Sequence, residues 1–428
     1  MEKQIIKQVI GEYQSKIRGL SLTERPMMFD KSANYVLVGV RRAGKSYLLY
    51  QDIKKWLREG AIDPNGFLYV NFEDERIADM KASELNIFID CYEEMYGDRE
   101  PLIYLDEIQN IDGWEKFARR LADQKYRVMI TGSNAKMLSR EIASTLGGRF
   151  IPRQVDPFSF TDYLRYKGIV QSQGWEYDPS VKTAVYRAFE DYFYYGGFAE
   201  GFNMADRKEY LNGLYQKILM GDIVERNKIR NSRVFRLLGK KLAQSVMQAT
   251  ALTRLRHIIE SAGDRISLPV LKDYLEYMTD AYLIFDIPNF VSPLSDQETV
   301  KKRYFVDNGI LNLFLFQGET QLLENLVAIC LNRVYRNNDE ELRLFYYSKN
   351  VEVDFVVPEV KMAYQVSYDI HKDQTTYDRE TGSLLSFLSA FPDYRGIIIS
   401  YDEEETLEIN GKTIEVVPVW KWMCRKVG

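Results

Sequence analysis

Histidine and cysteine are the two residue types that this sequence has least of. Its 428 residues include two histidines, His257 and His371, and three cysteines, Cys91, Cys330 and Cys424. The cysteines are widely scattered and no pair has metal-motif spacing, so neither a histidine-rich metal site nor a Ser-His-Asp triad is expected. Scattered cysteines favour reduced, mostly buried thiols in a cytoplasmic protein over a disulfide framework.

Long apolar runs and an excess of positive charge are also lacking. No apolar run reaches the roughly 20 residues that a membrane-spanning helix needs, so we expect no membrane partner. The first residues, Met1-Glu2-Lys3-Gln4, carry an acid before an amphipathic segment, which is not typical of a signal peptide. A net charge of −5 argues against a surface covered with cations for nucleic acid. The length of 428 residues predicts two or three domains.

The segment Gly39–Ser46 matches the phosphate-loop pattern G-x-x-x-x-G-K-[ST]. Before it, Asn34–Gly39 is an apolar, β-branched run that predicts a buried strand, and after it apolar residues recur at helical spacing. Strand, loop and helix therefore follow one another in the order that the motif requires. The glycines let backbone N–H groups approach phosphate oxygens, and the helix N-terminus adds the positive end of its dipole.

Each residue type in such a loop has an expected role. Lys45 would reach the β- and γ-phosphates of ATP, and the hydroxyl of Ser46 would ligate Mg²⁺. A chance match on a glycine-containing turn is the alternative, and the flanking strand and helix argue against it. The predicted nucleotide-binding residues of the loop are Gly39, Arg41, Arg42, Ala43, Gly44, Lys45, Ser46 and Tyr47.

A second motif, Leu102–Glu107, ends an apolar run on two acids. An acid at the end of a strand beside the phosphate loop can hold Mg²⁺ through its water shell, which is the Walker B role and falls here to Asp106. Glu107 is suited to polarise the attacking water and is, with Lys45, a predicted catalytic residue. The alternative is that the two acids begin a solvated loop.

Two further apolar runs, Gly66–Phe72 and Arg127–Thr131, complete the predicted sheet. Because helical segments alternate with these strands, the sequence predicts an α/β domain with a doubly wound parallel sheet. The last strand leads into Ser133 and Asn134, a polar strand end that can sense the γ-phosphate of ATP. Simple turn chemistry is the alternative explanation for these two residues.

Five motifs together resemble a widespread prokaryotic family, AAA-type P-loop ATPases that carry a C-terminal domain of unknown function. The motifs are GVRRAGKS, YVNFED, LIYLDEIQNIDGWE, ITGSNAKML and LGGRFIPRQVDPFSF, and the resemblance extends over nearly the whole chain. It implies ATP as ligand, ATPase activity and, by analogy, a homo-oligomeric ring. It also implies a catalytic role for Arg149 as an arginine finger or sensor, in its own chain or a neighbouring copy. The alternative is a basic residue that caps a strand.

Four regions are predicted along the chain. Residues 1–155 form the P-loop ATPase domain with an N-terminal helix. Residues 156–232 are rich in helical and aromatic stretches and resemble the helical lid that closes over nucleotide in AAA-type enzymes. Residues 233–315 contain three helical segments and two strands, an order that resembles a winged helix. Residues 316–428 form a separate C-terminal domain.

The charge of the winged-helix-like region is uneven. Nine Lys or Arg residues and no acid lie from Arg226 to Arg256, so this run is the predicted DNA-facing surface. The third helix instead exposes Asp273, Glu276 and Asp280, a poor charge pattern for a DNA groove. An interdomain or protein contact is therefore the alternative role. The predicted nucleic-acid residues are Arg230, Arg233, Arg236, Lys240 and Lys241.

The C-terminal domain has an element order that resembles the PD-(D/E)xK nuclease fold. That chemistry needs two acids on one metal and a lysine. Glu324 in a helix and Asp354 in a strand supply acids, but the next strand reads Gln365-Val-Ser where the motif requires acid-x-Lys. The spacing does not support Lys361 or Lys372 as a lysine that has moved. We therefore expect a degenerate, nuclease-shaped binding domain without nuclease activity.

Three functions remain open from the sequence. The leading hypothesis is a Mg²⁺-dependent ATPase, expected to be slow, whose hydrolysis switches a C-terminal DNA-binding module. The second hypothesis is a nucleotide-dependent switch that acts on a protein partner and not on DNA. The third is a metal-dependent nuclease gated by ATP.

Overall fold

The computed structural model describes residues 2–133, 144–337 and 341–425 of the chain. The chain folds into two compact units: unit 1 comprises Met1–Asp156 with Asp280–Tyr282, and unit 2 comprises Pro157–Thr279 with Leu283–Gly428. The predicted lid, winged-helix-like region and C-terminal domain therefore all lie almost entirely in unit 2. The boundaries between those three regions stay predictions.

In the described part of unit 1, strands and helices alternate for most of the length. The strands are β1 (Asn34–Val38), β2 (Phe67–Asn71), β3 (Leu102–Asp106), β4 (Val128–Gly132) and β5 (Phe150–Gln154). The helices are α1 (Lys3–Gly19), α2 (Lys45–Arg58), α3 (Ile87–Tyr96) and α4 (Glu115–Asp123).

The five strands form one parallel sheet in the order β2-β3-β4-β1-β5. All five residues of β4 are buried, which requires cover on both faces of the sheet, as in α/β proteins. The predicted parallel α/β sheet of the ATPase domain is thereby confirmed. Because Val38 pairs with Gly132, and Asn71 with Asp106, the carboxyl ends of these strands lie side by side at one end of the sheet.

The edge strand β5 was not predicted from the sequence. Its three central residues are exposed and one of them is Pro152, which an edge strand tolerates because one side of its backbone has no neighbour. The strand pairs with β1 in parallel, from Asn34 opposite Phe150 to Val38 opposite Gln154. The carboxyl end of β5 therefore lies beside the carboxyl end of β1.

Unit 2 is mixed α and β. Its helices are α5 (Phe160–Tyr166), α6 (Pro179–Tyr195), α7 (Arg207–Lys217), α8 (Ser232–Gln244), α9 (Leu252–Ser261), α10 (Leu268–Asp280), α11 (Leu294–Thr299), α12 (Asn308–Asn312), α13 (Glu319–Tyr335), α14 (Gln374–Ala390) and α15 (Val419–Cys424). A π-helix, Ile218–Glu225, continues α7. The strands are β6 (Thr250–Ala251), β7 (Ile284–Pro288), β8 (Val300–Phe305), β9 (Phe345–Ser348), β10 (Glu352–Val357), β11 (Met362–Ser367), β12 (Arg395–Ser400), β13 (Glu405–Ile409) and β14 (Lys412–Pro418).

Two sheets organise unit 2. Strands β6, β8 and β7 form an antiparallel sheet in that order. In the chain, α8 comes before β6, and α9 and α10 lie between β6 and β7. The second sheet has six strands in the order β13-β14-β12-β11-β10-β9. It is mixed: β9, β10 and β11 are antiparallel neighbours, whereas β11, β12 and β14 run parallel. Helix α13 precedes this sheet, and α14 connects β11 to β12.

The aromatic stretch that resembles a lid packs inside unit 2. Tyr186 on α6 lies with its ring 5.8 Å from that of Trp420 on α15, and Trp175 lies 6.0 Å from the same ring. Helix α6 ends at Tyr195 and is capped by Gly196, whose φ of +69° allows a close turn after the helix. These contacts give the aromatics a core role. A lid function for residues 156–232 stays a prediction.

Among the described residues, no helix combines the length and the apolar character that crossing a membrane requires.

Candidate functional site

The phosphate loop begins where β1 ends, at the end of the sheet that holds the carboxyl ends of the strands. Gly39 has a φ of +147°, and a Cβ added there would lie 2.1 Å from the carbonyl oxygen of Val155. Gly44 has a φ of +96° directly before α2. Both positions therefore require glycine, the first for space and the second for its left-handed backbone.

Lys45 is the first residue of α2, and its side chain is almost fully buried inside the loop. Its Nζ donates hydrogen bonds to the carbonyl oxygens of Gly39, at 3.0 Å, and Val40, at 3.2 Å. The same Nζ lies 3.7 Å from Oε1 of Glu107. The loop thus places an ammonium group between its own carbonyls and the predicted catalytic acid.

The carboxylate of Asp106 ends β3 and is 1% exposed. Its two oxygens accept hydrogen bonds from the hydroxyls of Thr131 and Tyr69, and the hydroxyl of Ser46 also bonds to this carboxylate. Burial, followed by the neighbouring charge of Glu107, raises the pKa of Asp106 above its ordinary value. A cation at the paired oxygens of Asp106 and Ser46 would offset that desolvation, and oxygen donors of this kind fit Mg²⁺.

Glu107 has a left-handed backbone, with a φ of +53° and ψ of +39°. Its N–H donates to Oγ1 of Thr131 at 2.9 Å, and its carboxylate accepts a hydrogen bond from the side-chain amide of Gln109. A non-glycine residue in this conformation is held by its surroundings. Here the hydroxyl of Thr131 holds the backbone of Glu107, whose carboxylate lies close to the ammonium group of Lys45.

Of the two residues predicted to sense the γ-phosphate, only Ser133 lies in the described part of the chain. Ser133 follows β4, is 3% exposed, and its hydroxyl has no hydrogen-bond partner among the described residues. A buried hydroxyl of this kind retains a free donor for a ligand oxygen. Asn134 lies outside the described residues.

Other loop residues have identifiable partners. Arg41 forms an ion pair with Glu73, with 3.1 Å between Nη2 and Oε1, and Arg42 has a left-handed φ of +66°. The carbonyl of Ala43 accepts a hydrogen bond from Arg25, whose guanidinium also binds the carbonyl of Asp156. Tyr47 on α2 is half exposed, and its ring packs 5.5 Å from the ring of Tyr50.

Arg149 lies at the end of the sheet where the strands begin, opposite the end that carries the phosphate loop. It directly precedes β5, at the end where Phe150 pairs with Asn34, and forms an ion pair with Asp123. The five residues of β1 separate this end from the loop, a span of roughly 16 Å at about 3.3 Å per residue. Within one chain Arg149 does not reach the phosphate loop. A role toward a neighbouring copy stays a prediction.

In unit 2 the structure brings together the three residues predicted for the degenerate nuclease-like site. Glu324 on α13, Asp354 on β10 and Gln365 on β11 line one cavity and are 1%, 6% and 6% exposed. The lysine of this cluster is Lys302 on β8, which bonds to both acids. It was not foreseen, because it stands outside the predicted C-terminal domain in sequence.

The two lysines weighed from the sequence play no such part. Lys361 is exposed and forms an ion pair with Asp393, with 3.0 Å between Nζ and Oδ2. Lys372 lines the cavity but forms no described bond to either acid.

The basic run places three cations on one face of α8. Arg233, Arg236 and Lys240 are exposed there, while Lys241 is partly buried and bonds to Gln244. Arg230 is exposed just before the helix. Arg233 lies 3.3 Å from Asp264, so one of these charges is partly compensated within the chain.

On α10 acids outnumber bases, as predicted for the third helix, but Asp280, which was predicted to be exposed, is partly buried. Asp273 and Glu276 are exposed, and Glu276 forms an ion pair with Lys272 one turn away.

Sequence reasoning did not identify Thr131, Tyr69, Gln109 and Arg25 around the nucleotide site. Thr131 and Tyr69 lie inside predicted strands. The one sequence signal that could have revealed them is a hydroxyl group within an otherwise apolar run. Which neighbour such a hydroxyl meets depends on the strand order, which the sequence does not state.

Comparison with known proteins agrees with this geometry. Residues 31–164 match the family model described as an AAA domain, which confirms a P-loop domain of the AAA type. Residues 186–321 match a domain of unknown function (DUF8612). The second match covers the predicted lid and winged-helix-like regions for most of their length and stops near the start of the predicted nuclease-like domain.

Relatives and solved structures extend the comparison. An uncharacterized protein of Haemophilus influenzae is 28% identical over 403 residues, covering 91% of this chain and 94% of that protein. The solved Walker-type ATPase paby2304 of Pyrococcus abyssi covers 71% of this chain and 95% of its own, with 17% identity and a TM-score of 0.37.

The uncharacterized protein MJ1544 of Methanocaldococcus jannaschii is 33% identical to this chain over 407 residues, covering 90% of this chain and 87% of that protein. This chain therefore belongs to the family of the uncharacterized protein MJ1544, and its residues 31–164 form an AAA domain.

Proposed function

We propose that the protein binds ATP with Mg²⁺ and hydrolyses it slowly, and that this cycle switches the DNA affinity of unit 2. The observation that carries the proposal is the meeting of Lys45, Asp106 and Glu107 at one edge of the unit 1 sheet. An ammonium group, a buried carboxylate and a second carboxylate are the groups that phosphoryl transfer to water uses.

The residues divide the work by position. The N–H groups of the phosphate loop and the Lys45 ammonium hold the triphosphate, and Ser46 and Asp106 hold the cation. When bound, Mg²⁺ would neutralise charge that develops on the phosphate oxygens. Glu107 lies near Lys45 and is held at its backbone by Thr131, so its carboxylate is positioned to orient the attacking water. The hydroxyl of Ser133, which has no hydrogen-bond partner within the described part of the chain, is available to the γ-phosphate.

Two substitutions test the nucleotide site in different ways. Lys45→Ala removes the phosphate ligand and should weaken ATP binding at least 10-fold. Glu107→Gln leaves the charge of Asp106 in place and should bind ATP normally while its kcat falls by roughly 100-fold, within the range for a general base. ATP affinity is measured by calorimetry and turnover by phosphate release.

Matched controls keep the comparison specific. Lys55→Ala lies on the same helix outside the loop, and Glu93→Gln lies exposed on α3, so both should keep wild-type affinity and turnover. Equal hydrolysis by the wild type and Glu107→Gln would remove Glu107 from the catalytic role.

The element order of unit 2 supports a DNA-binding role. The order α8-β6-α9-α10-β7-β8, with β6 and β7 on either side of β8, resembles that of a winged helix. The exposed cations of α8 provide a surface for phosphates, since Lys and Arg groups release counterions on binding DNA. The acids of α10 make that helix a poor reader of a groove, so we place the contact on α8.

Neutralising the cations together tests that surface. Replacement of Arg230, Arg233, Arg236 and Lys240 by Gln should weaken DNA binding and flatten its salt dependence by about 0.9 per lost phosphate contact. The control replaces four exposed lysines elsewhere, Lys116, Lys125, Lys208 and Lys349, by Gln. Affinity and salt slope are measured by fluorescence anisotropy. If both sets weaken binding equally, α8 is not the DNA surface.

A protein-interaction switch without DNA is the second candidate, and the exposed acids of α10 favour it. The two functions are separated by ATPase rates measured with and without single- and double-stranded DNA, beside the mass of the ATP-bound assembly. DNA that accelerates hydrolysis supports the first function. A rate that DNA leaves unchanged, with no measurable DNA affinity, supports the second.

The element order α13-β9-β10-β11-α14-β12 supports the nuclease-like reading of the C-terminal domain. An ATP-gated nuclease is the least supported function, because the position of the motif lysine is Ser367 and that of the second acid is Gln365.

A further inference from the structure

A buried lysine stands at the centre of the acid cluster in unit 2. Lys302 on β8 has no exposed surface, yet its side chain ends among three carboxylates from two other elements. Its Nζ lies 3.1 Å from Oδ1 of Asp354, 3.3 Å from Oε1 of Glu324 and 2.8 Å from Oε1 of Glu352. Three carboxylates thus surround one buried positive charge and compensate it, as carboxylate ligands compensate a divalent cation.

The two buried acids are fixed by further bonds. Oε1 of Glu324 also accepts the hydroxyl of Tyr304 at 2.7 Å, and Oδ2 of Asp354 accepts the backbone N–H of Val366 at 2.9 Å. The Lys302 ammonium also lies 5.6 Å from the centre of the Tyr346 ring, within the range of a cation–π contact. The carboxylates are therefore held in place by groups other than the cation between them.

The charges of the cluster depend on one another. Burial alone would lower the pKa of Lys302, but the neighbouring Glu324, Tyr304 and Asp354 outweigh it and the pKa lies well above its ordinary value. Burial raises the pKa of Glu324 and of Asp354, while the charge of Lys302 opposes that rise. Removing one partner of a buried pair leaves an uncompensated charge. Lys302 is thus the cation on which both buried acids rely.

A cavity of about 590 Å³ opens beside this cluster, and Glu324, Glu352, Asp354 and Gln365 are among its lining residues. Gln365 is 6% exposed, and its amide nitrogen donates to Glu380 at 2.6 Å. Its Oε1 has no hydrogen-bond partner among the described residues. The cavity therefore has an unused, buried oxygen acceptor next to the two acids, a donor type that Mg²⁺ and Mn²⁺ accept.

We propose that the ammonium group of Lys302 takes the place of a divalent cation in this cluster, and that removing it opens a cation site formed by Glu324, Asp354 and Gln365. A second cation next to the buried ammonium group would be repelled by it. This inference deepens the proposed absence of nuclease activity in unit 2, and it does not depend on ATP hydrolysis in unit 1.

Titration of the full chain with Mn²⁺, without nucleotide, tests the inference. Lys302→Met should bind one more Mn²⁺ per chain than the wild type, counted by electron paramagnetic resonance of free Mn²⁺. The double variant Lys302→Met with Asp354→Asn should lose that additional ion. Lys372→Met, which removes a lysine that lines the cavity but does not contact the two acids, should behave as the wild type. An unchanged ion count in Lys302→Met would overturn the proposal.

A second comparison does not require the Lys302 variant to be stable. Asp354→Asn in the otherwise wild-type chain should leave Mn²⁺ binding unchanged, because Lys302 already fills the position. A loss of Mn²⁺ binding in that variant would show that the wild type holds a metal there, with Lys302 beside it, and would overturn the proposal. If Lys302→Met is destabilised, Mn²⁺ should raise its Tm by several degrees more than that of the wild type, and an equal rise in both would contradict the inference.

ATPase rates measured on the same samples separate this inference from the proposed function. Wild-type turnover without Mn²⁺ gain in Lys302→Met refutes the inference alone. Mn²⁺ gain in a chain that does not hydrolyse ATP refutes the ATPase proposal alone.

Discussion

Thr131 connects the two acids of the nucleotide site. It is fully buried on β4, and its hydroxyl donates to Asp106 while it accepts the N–H of Glu107 at 2.9 Å. One oxygen atom therefore fixes the carboxylate that would hold the cation and the backbone of the residue that would orient water. Thr131 touches no reacting atom itself, so it is a positioning residue.

Thr131→Val keeps the shape of the side chain and removes both bonds. We expect kcat to fall roughly 10-fold with little change in KM for ATP, because loop contacts to the phosphates remain. The Thr131 hydroxyl lowers the pKa of Asp106 against the larger effect of burial, so its loss should raise that pKa further. Since Asp106 must be ionised to hold the cation, the acid limb of the pH–rate profile should move to higher pH.

Thr131→Ser restores the hydroxyl and should return the wild-type pH profile. Stability is measured alongside, because an unpaired N–H of Glu107 should lower the free energy of unfolding by about 1–3 kcal/mol. A Thr131→Val variant that loses stability but keeps the wild-type profile would show a purely structural role.

Single residues were predicted where a motif fixes their type and spacing. Lys45, Ser46 and Asp106 fall in such motifs, and the structure brings them together. Lys302 could not be found in this way, because it is separated from Glu324 by 22 positions and from Asp354 by 52, and no local pattern links residues so far apart. Contacts of this separation are set by strand pairing.

The turn after α6 depends on a glycine. Gly196 has a φ of +69°, and a Cβ there would lie 2.0 Å from Oδ1 of Asp307. The next residue, Gly197, donates its N–H to Oδ2 of Asp307 at 2.7 Å, and Oδ1 accepts the N–H of Gly309 at 2.8 Å. One buried carboxylate thus joins the end of α6 to the start of α12.

Gly196→Ala should destabilise unit 2. The left-handed backbone disfavours alanine, and the methyl group would displace Asp307 from its backbone donors, so we expect a loss of roughly 2–4 kcal/mol in the free energy of unfolding. The control is Gly213→Ala on α7, where a Cβ meets nothing within 4 Å. That change should stabilise by about 0.5–1 kcal/mol. Urea denaturation measures both, and a similar stability of the two variants would contradict the proposed role of the turn.

Whole elements were predicted well where burial is continuous. The predicted Gly66–Phe72, for example, corresponds to β2 at Phe67–Asn71. The strand β5 was missed because exposed residues and a proline hide its period. Helix α14 was missed because its buried face includes Glu380 and Thr381, so it has no clean apolar stripe.

At the scale of the molecule, the phosphate loop with Asp106 and Glu107 lies in unit 1, and the exposed cations of α8 lie in unit 2. The sequence divided the chain into four regions, of which three fall almost entirely in one compact unit. Composition and periodicity indicate elements, but the ring contacts that join Trp420 to Tyr186 and Trp175 within unit 2 depend on packing between distant segments. Which segments pack together in one compact unit is therefore not set by local sequence pattern.

A switch requires that ATP changes the affinity for DNA, and linkage makes that change reciprocal. We expect ATP with Mg²⁺ to alter the DNA Kd of Glu107→Gln at least fivefold, about 1 kcal/mol of coupling, since this variant should retain ATP without hydrolysing it. DNA must then alter the ATP Kd of the same variant by the same factor. Lys45→Ala, which should not bind ATP, serves as the control and should have one DNA affinity under both conditions. Both constants are measured at one fixed salt concentration, because DNA affinity depends steeply on salt. Equal DNA affinity of Glu107→Gln with and without ATP would exclude the switch, while leaving hydrolysis in unit 1 intact.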